Sequence, residues 1–358
     1  MTVITPASEA ELADAVRSAN APFAIRGGGT RSPAATRPVL STAALSGVVL
    51  YEPGALTLVV KAGTPLAEVE AVLAEKSQRL AFEPMDHRPV LGTSGEPTIG
   101  GALAVNASGP RRVQAGAARD FLLGAVFVDG EGTRVRNGGR VMKNVTGYDL
   151  ARLQAGARGT LGVLTELSFK VLPVPERVAT LALACDDPSR AVAEMARALG
   201  SPYEVTGAAW DAARMLLRIE GFAESVSYRA GELARLIPGL VPVDEDPWPA
   251  LRDGAALAET QRDIWRISLR ASHGAILAER LCGAGAKVTL DWGGALLWAA
   301  VAPGTDLRAQ MADLGGHATR LRGEGNIPAL HPDPAPVAAL AAGLRQKFDP
   351  RGLFAPEG

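Results

Sequence analysis

The sequence predicts an α+β fold in two domains, and three observations carry the prediction. Strand-like and helix-like segments alternate through the first half of the chain. A proline-flanked stretch, "VLPVPERV", breaks that alternation from residue 171. The second half then runs twice through the order strand, helix, strand, strand, as two ferredoxin-like units on one antiparallel sheet would. At 358 residues the chain exceeds what one ordinary core organises, so a first domain over 1–173 and a second from 174 to about 340 are expected.

Each element has a local justification. Ser8 and Glu11 stand at capping-box spacing ahead of Leu12, Val16 and Ala19, predicting an amphipathic helix over 8–20 that Pro22 ends. Residues 23–25 read as a strand running into the glycines at 27–29. Residues 57–61 are β-branched, and Thr64 with Pro65 reads as the cap and first turn of a helix through Leu66, Val69 and Val72. Residues 121–136 read as a hairpin turning at Asp129, Gly130, Glu131 and Gly132, and 161–173 as a last apolar strand.

In the second half, strands are expected at 178–184, 203–209 and 214–220, with a helix at 188–199 capped by Asp187 and another ending near Ile237. The order recurs as strand 264–270, helix 272–282, strand 287–292, a Gly293-Gly294 turn and strand 295–301. Residues 237–254, rich in proline and acid, read as an exposed connector.

Composition excludes several classes. A net charge of -1 gives no electrostatic reason to bind nucleic acid or an acidic membrane. No apolar run reaches the roughly 18 residues of a membrane span, and the N-terminus lacks a basic start followed by an apolar stretch, so a cytoplasmic protein is expected. Cys185 and Cys282 sit in apolar segments without CxxC spacing and read as buried small hydrophobes, with no metal site expected.

Three segments instead ask for a large ligand. "PFAIRGGGTRS" places Gly27, Gly28 and Gly29 after a short strand, where backbone N–H groups free of Cβ atoms can turn toward one anion. "EPTIGGALAVNASGPRR" (96–112) is composed of small residues, and "GYDLARLQAGARGTLGVLTE" (147–166) carries Gly156, Gly159 and Gly162. Ser32 stands where GxGxxG needs a glycine, and GxxxxGK[ST] is absent, so neither a Rossmann site nor a P-loop is supported.

"AIRGGGT", "PTIGGALAVNASG", "MKNVTGYDLARLQAGARGTLGVLTELSFKVLP" and "FDPRGLF" together resemble the FAD-binding domain of the vanillyl-alcohol oxidase and p-cresol methylhydroxylase (PCMH-type) superfamily. More narrowly, "SGPRRVQAGAARDFLLG" with "VMKNVTGYDLARL" resembles the FAD-binding E subunits of bacterial glycolate oxidases (glycolate dehydrogenases). The resemblance implies a PCMH-type domain of two subdomains, an α+β cap domain, and a closing segment 341–358 that returns toward the FAD domain. It places Gly27, Gly28, Gly29 and Thr30 on the FAD pyrophosphate, with Arg26 or Arg31 lending charge. Thr98, Gly100, Gly101, Ala104, Asn106 and Gly109 would line the rest of the cofactor, and Gly162 and Val163 would offer backbone groups at one end. His87, the first domain's one histidine, reads as a loop residue rather than a flavin anchor, so the FAD is expected to be non-covalent.

The same resemblance implies oxidation of glycolate or a similar 2-hydroxy acid, a homologous FAD-containing catalytic subunit and an iron–sulfur subunit, the last two giving any contact with the inner membrane. A self-sufficient 2-hydroxy acid dehydrogenase and a non-catalytic scaffold are the alternatives. Relatives acting on 2-hydroxy acids carry an HxGDGNxH-like stretch; here "GGHATRLRGEGNIPALHPDP" keeps His317, Glu324, Asn326 and His331 without that spacing, so these and His273 read as structural. Arg111, Arg112 and Arg322 are candidates for a carboxylate, though with 31 arginines against 6 lysines none stands out. Ala355 replaces the asparagine of the usual ending, and no catalytic residue is assigned.

Overall fold

The computed structural model describes residues 2–31, 36–140, 147–258 and 261–354. A small parallel sheet comes first: β1 (Val3–Ile4) and β2 (Ala24–Arg26) flank β3 (Val39–Ser41), under helix α1 (Glu9–Ser18). Ser8 Oγ accepts from Glu11 N as expected, but the Glu11 carboxylate reaches one residue further back, to Ala7 N at 3.0 Å. Leu12, Val16, Phe23 and Leu40 bury the helix against this sheet.

A five-stranded antiparallel sheet follows, built from β4 (Val48–Glu52), β5 (Thr57–Lys61), β6 (Leu122–Val128), β7 (Arg134–Gly138) and β8 (Val163–Lys170) in the order β4-β5-β8-β6-β7. Helix α2 (Leu66–Ala74) begins at Leu66, and Thr64 is not its cap. The Thr64 hydroxyl instead donates to Lys61 O at 2.7 Å and accepts from Gly47 N. Helix α3 (Ile99–Ala104) is capped by Thr98, whose hydroxyl accepts from Gly101 N. Phe82, Phe121 and Phe169 stack at 5.7 to 5.9 Å in the core beneath, with Leu58, Leu73 and Leu167.

The second half forms one eight-stranded antiparallel sheet. Its first unit is β9 (Arg177–Ala184), α4 (Pro188–Leu199), β10 (Val205–Trp210), β11 (Arg214–Gly221), α5 (Ala223–Leu236) and β12 (Val241–Val243). Its second is β13 (Asp263–Ser268), α6 (Ala271–Gly283), β14 (Lys287–Asp291), β15 (Leu296–Val301), α7 (Leu307–Gln310) and β16 (His317–Arg322). The sheet order β12-β9-β11-β10-β14-β15-β13-β16 is two ferredoxin-like units joined edge to edge, where Trp210 pairs Leu290. Asp187 caps α4 by accepting from Ser189 N and Arg190 N, and Gly293 and Gly294 both take positive φ in the turn before β15.

Sequence reading missed the fourth strand of each unit. The expected exposed connector contains β12, the buried Ile237 and Leu240, and the buried Trp248, whose indole donates to Thr180 Oγ1 at 2.9 Å. Cys282 also departs from expectation: it is exposed, whereas Cys185 is buried. Among the described residues no helix is long and apolar enough to cross a membrane.

One face of the large sheet is covered by α4, α5, α6 and α7 over a core containing Trp210, Trp265, Leu217 and Leu290. Its other face turns to the first half of the chain. There Arg218 donates to both oxygens of Glu83 at 2.8 and 3.0 Å, Asp86 N donates to Asp253 Oδ1 at 2.9 Å, and the Trp292 indole donates to Gly109 O at 3.0 Å. A helix α8 (Ala335–Phe348) closes the chain and straddles residue 340, so the closing segment begins inside a helix.

The aromatic stack gives a direct test. Phe82→Ala removes the ring shared by Phe121 and Phe169 and is expected to cost roughly 3–5 kcal/mol. Urea unfolding followed by far-UV circular dichroism measures it, and a loss under about 1 kcal/mol would mean the site collapses around the gap.

Candidate functional site

Strand β2 delivers Gly27, Gly28 and Gly29 to the wall of a cavity of about 930 Å³, within the range of cofactor sites. The three glycines serve different ends. A Cβ on Gly28 would lie 1.5 Å from Glu96 O, and one on Gly27 would lie 2.4 Å from Thr98 Oγ1. These two positions are therefore glycine because the loop packs against the 96–98 backbone, not only because a ligand approaches. Gly29 has φ +74° and open space where a Cβ would stand, so its backbone faces the cavity unobstructed.

The cavity gathers Arg26, Gly27, Gly28, Gly29, Thr30 and Arg31 from the first segment, Thr98, Gly100, Gly101, Ala104 and Asn106 from the second, and Gly162 from the third. Gly109 and Val163 do not border it. Gly109 is held by N–H donation to Phe82 O, with Glu83 where its Cβ would be, and Val163 is fully buried in the core beneath α1. Phe354 reaches the cavity wall; Ala355 lies outside the described residues.

Seven arginines line the cavity (26, 31, 112, 158, 266, 320 and 322), and among its described lining residues there is no carboxylate. Arg31 donates to Gly101 O at 2.5 Å; burial and then the nearby Arg158 lower its pKa to about 10. Arg112 lies 4.7 Å from the centroid of the Trp292 ring, and Arg266 lies 5.1 Å from the same centroid. His87, at the start of the short helix Arg88–Leu91, has Nδ1 3.5 Å from Arg31 Nε. Burial, then Arg31 and Arg266, push its pKa down to about 3, so the ring is neutral at physiological pH. Such a wall suits a ligand that brings negative charge.

The remaining candidates fall elsewhere or into structural roles. Arg111 is buried against Glu220, outside the cavity. Arg322 reaches it but donates to Val90 O and Ala258 O. Arg320 is spent on the carbonyls of Glu324, Gly325 and Ile327. His317 and His331 approach each other, ring centroids 5.0 Å apart, yet His331 Nδ1 accepts from Ala318 N, and no group of three metal-binding side chains occurs among the described residues. His273 Nδ1 contacts Leu314 O at 2.6 Å. Sequence reading missed Arg158 and Arg266, which carry no motif; alternation along β13, with Ile264 and Trp265 on opposite faces, is the one signal that places Arg266 toward the cavity.

The neutral His87 predicts a pH signature. Its folded pKa lies below the ordinary 6.5, so as pH falls the unfolded chain takes the proton first. The resulting stability is complete above pH 6.5 and declines toward pH 3. Between pH 6.5 and 4, His87→Gln should lose thermal midpoint less steeply than the native protein; parallel curves would show the ring is not held neutral.

A family model for the FAD binding domain matches residues 2–138. The glycolate oxidase subunit GlcE of Escherichia coli (strain K12) is 37% identical over 314 residues, which cover 87% of this chain and 83% of that protein. The glycolate oxidase subunit GlcD of Bacillus subtilis (strain 168) is 44% identical over 84 residues, 24% of this chain and 18% of that one. Among solved structures, an alkyldihydroxyacetonephosphate synthase superposes with a TM-score of 0.68 over 99% of this chain and 77% of its own, at 15% identity, a likeness of fold. The open backbone at Gly29 and the acid-free arginine wall fit the cofactor this kinship implies. The chain belongs to the glycolate oxidase subunit GlcE family of FAD-dependent oxidoreductases.

Proposed function

We propose that this chain is the FAD-binding subunit of a multi-subunit glycolate dehydrogenase that converts glycolate to glyoxylate. The observation that carries the reading is the cavity itself, in which three glycine-bearing segments and seven arginines meet without a carboxylate among the described lining residues. Gly27 to Thr30 would hold the pyrophosphate of FAD, with Arg26 and Arg31 supplying positive charge. Thr98, Gly100, Gly101, Ala104 and Asn106 would follow the rest of the cofactor, and Gly162 would close one end. When bound, FAD supplies the acceptor for the hydride leaving the α-carbon of the hydroxy acid.

The residues of this chain bind, orient and neutralise charge better than they move protons. The hydroxyl proton of glycolate needs a base, and the cavity's histidine is a weak one, with its pKa lowered to about 3. This favours a homologous FAD-containing catalytic partner that completes the acid–base set. Electrons leaving the assembly need further carriers, and one buried and one exposed cysteine are too few to ligate an iron–sulfur cluster, which supports a separate iron–sulfur subunit. In this reading residues 1–173 are the FAD domain, 174–340 the cap, and 341–358 a segment returning toward the FAD domain. The assembly is cytoplasmic and meets the inner membrane only through partners.

Two measurements test the proposal. The chain purified alone should show flavin absorbance, released on denaturation, that glycolate bleaches anaerobically only when the partner subunits are present. Bleaching of the isolated chain would make it self-sufficient, and an absence of flavin would leave only the scaffold reading. Gly29→Asp should lose at least about 10-fold in flavin retention, whereas Gly29→Asn, equally able to take positive φ, should keep most of it. Equal retention by the two variants would move the phosphate site elsewhere.

A further inference from the structure

Arg266 is a half-buried cation on the cavity wall that lacks an ionic partner. It lies on β13 beside Ile264 and Ser268 on the face turned to the first half, while Trp265 and Ile267 point into the helix-covered core. Its guanidinium sits 5.1 Å from the Trp292 ring centroid and 5.8 Å from that of Trp298, with Arg112 at 4.7 Å from the Trp292 centroid. Among the described residues it makes no hydrogen bond or ion pair.

Three other arginines of the same sheet are paired within the protein. Arg218 is paired with Glu83 and Glu220, Arg320 with three carbonyls, and Arg322 with the carbonyls of Val90 and Ala258. Asp291, the carboxyl that acts most on Arg266, accepts from Trp292 N, and burial pushes its pKa up to about 7, so it is an incomplete counter-ion. Arg266 itself, lowered to about 10 by burial and by Arg112, remains charged at neutral pH. A guanidinium at a cavity wall with none of its N–H groups taken up by the protein is free to meet an anion that a ligand brings.

We propose that Arg266 binds the carboxylate of the hydroxy acid, its planar fork meeting both oxygens, with Ser268 on the same strand and Thr319, which pairs with Arg266 from β16, as hydroxyl donors at the cavity wall. Arg112, on the same Trp292 ring, adds a second positive charge to the subsite. The inference rests on the reading of this cavity as a flavin and hydroxy acid site, and it names the cap residue that selects for acids over neutral alcohols.

Oxalate is the probe, because it offers a carboxylate but no C–H bond from which hydride can leave. Titrated into the flavin-loaded chain, it should perturb the flavin absorbance saturably. Arg266→Gln should weaken that binding roughly 10- to 100-fold with flavin content unchanged, and Arg266→Lys, which keeps charge but loses the fork, should fall between. Should the glutamine variant fail to fold, the lysine variant carries the comparison. Native-like oxalate affinity in both variants overturns the assignment, as does a native protein that shows no saturable response. Flavin loss in Arg266→Gln with unchanged oxalate affinity in the loaded fraction also overturns it, giving Arg266 to the cofactor instead. Glycolate bleaching of the full assembly separates the two levels. An Arg266→Gln assembly with native KM sinks this inference alone, whereas a native assembly that glycolate never bleaches sinks the functional reading.

Discussion

Two stretches of backbone approach each other more closely than any side chain permits, and the cavity is built on that approach. A Cβ on Gly28 would strike Glu96 O, and a Cβ on Gly95 would lie 2.1 Å from Gly28 O, so Gly28 makes room for the main chain of Glu96 and Gly95 for that of Gly28. The contact fixes the loop after β2 against the entry to α3, with Thr98 at once capping that helix and filling the space beside Gly27. Gly100 continues the packing, its missing Cβ accommodating Ala62 O at the end of β5. With the first two glycines of the loop spent on packing, Gly29 is left to present bare backbone to the interior. A substitution at Gly28 therefore reports on the scaffold, and one at Gly29 on the ligand.

Charge is distributed by the same economy of position. The seam between the halves uses carboxylates and arginines together: Glu83 serves Arg218 and accepts from Arg111 N, and Glu220 meets Arg79, Arg111 and Arg218. Such pairs are held because breaking one strands the other in a low-dielectric interior. The cavity a short distance away has the opposite composition. Arg31, Arg112, Arg158 and Arg266 have no carboxylate partner among the described residues, and tryptophan faces or carbonyl oxygens stand in for anions. A structural ion network would not leave this surplus; a site awaiting an anionic ligand would.

What the sequence disclosed follows from range of interaction. Local signals were legible: the Ser8 and Asp187 caps, the paired glycines before β15, and the strand alternation that gives both ferredoxin-like repeats. The missed fourth strands, β12 and β16, are short or sit in polar, proline-rich sequence, and pairing partners far along the chain stabilise them rather than their own propensity. The segment around Trp248 was misread as an exposed connector for the same reason, since only the folded sheet brings Thr180 to its indole. Glycine patterning located most of the cavity wall, but Gly109 and Val163 belong to packing, and no spacing rule could separate them from the lining residues. Arg266 was one arginine among 31 until the sheet placed it.

The surplus of positive charge also bears on what the cavity is for. The pyrophosphate of FAD brings about two negative charges and a hydroxy acid about one, so together they offset most of what the four carboxylate-free arginines present. Hydride transfer from the hydroxy acid would shift negative charge onto the flavin with no change in the cavity's total, and fixed cations near the flavin would favour that shift without reorganising. Proton removal is the opposite case. A histidine whose neighbours include Arg31 and Arg266 resists becoming a cation, which is why His87 stays neutral far below its ordinary pKa. The wall that would stabilise electrons on the flavin thus weakens the cavity's nearest base, and the proposed division of labour with a second subunit rests on that conflict.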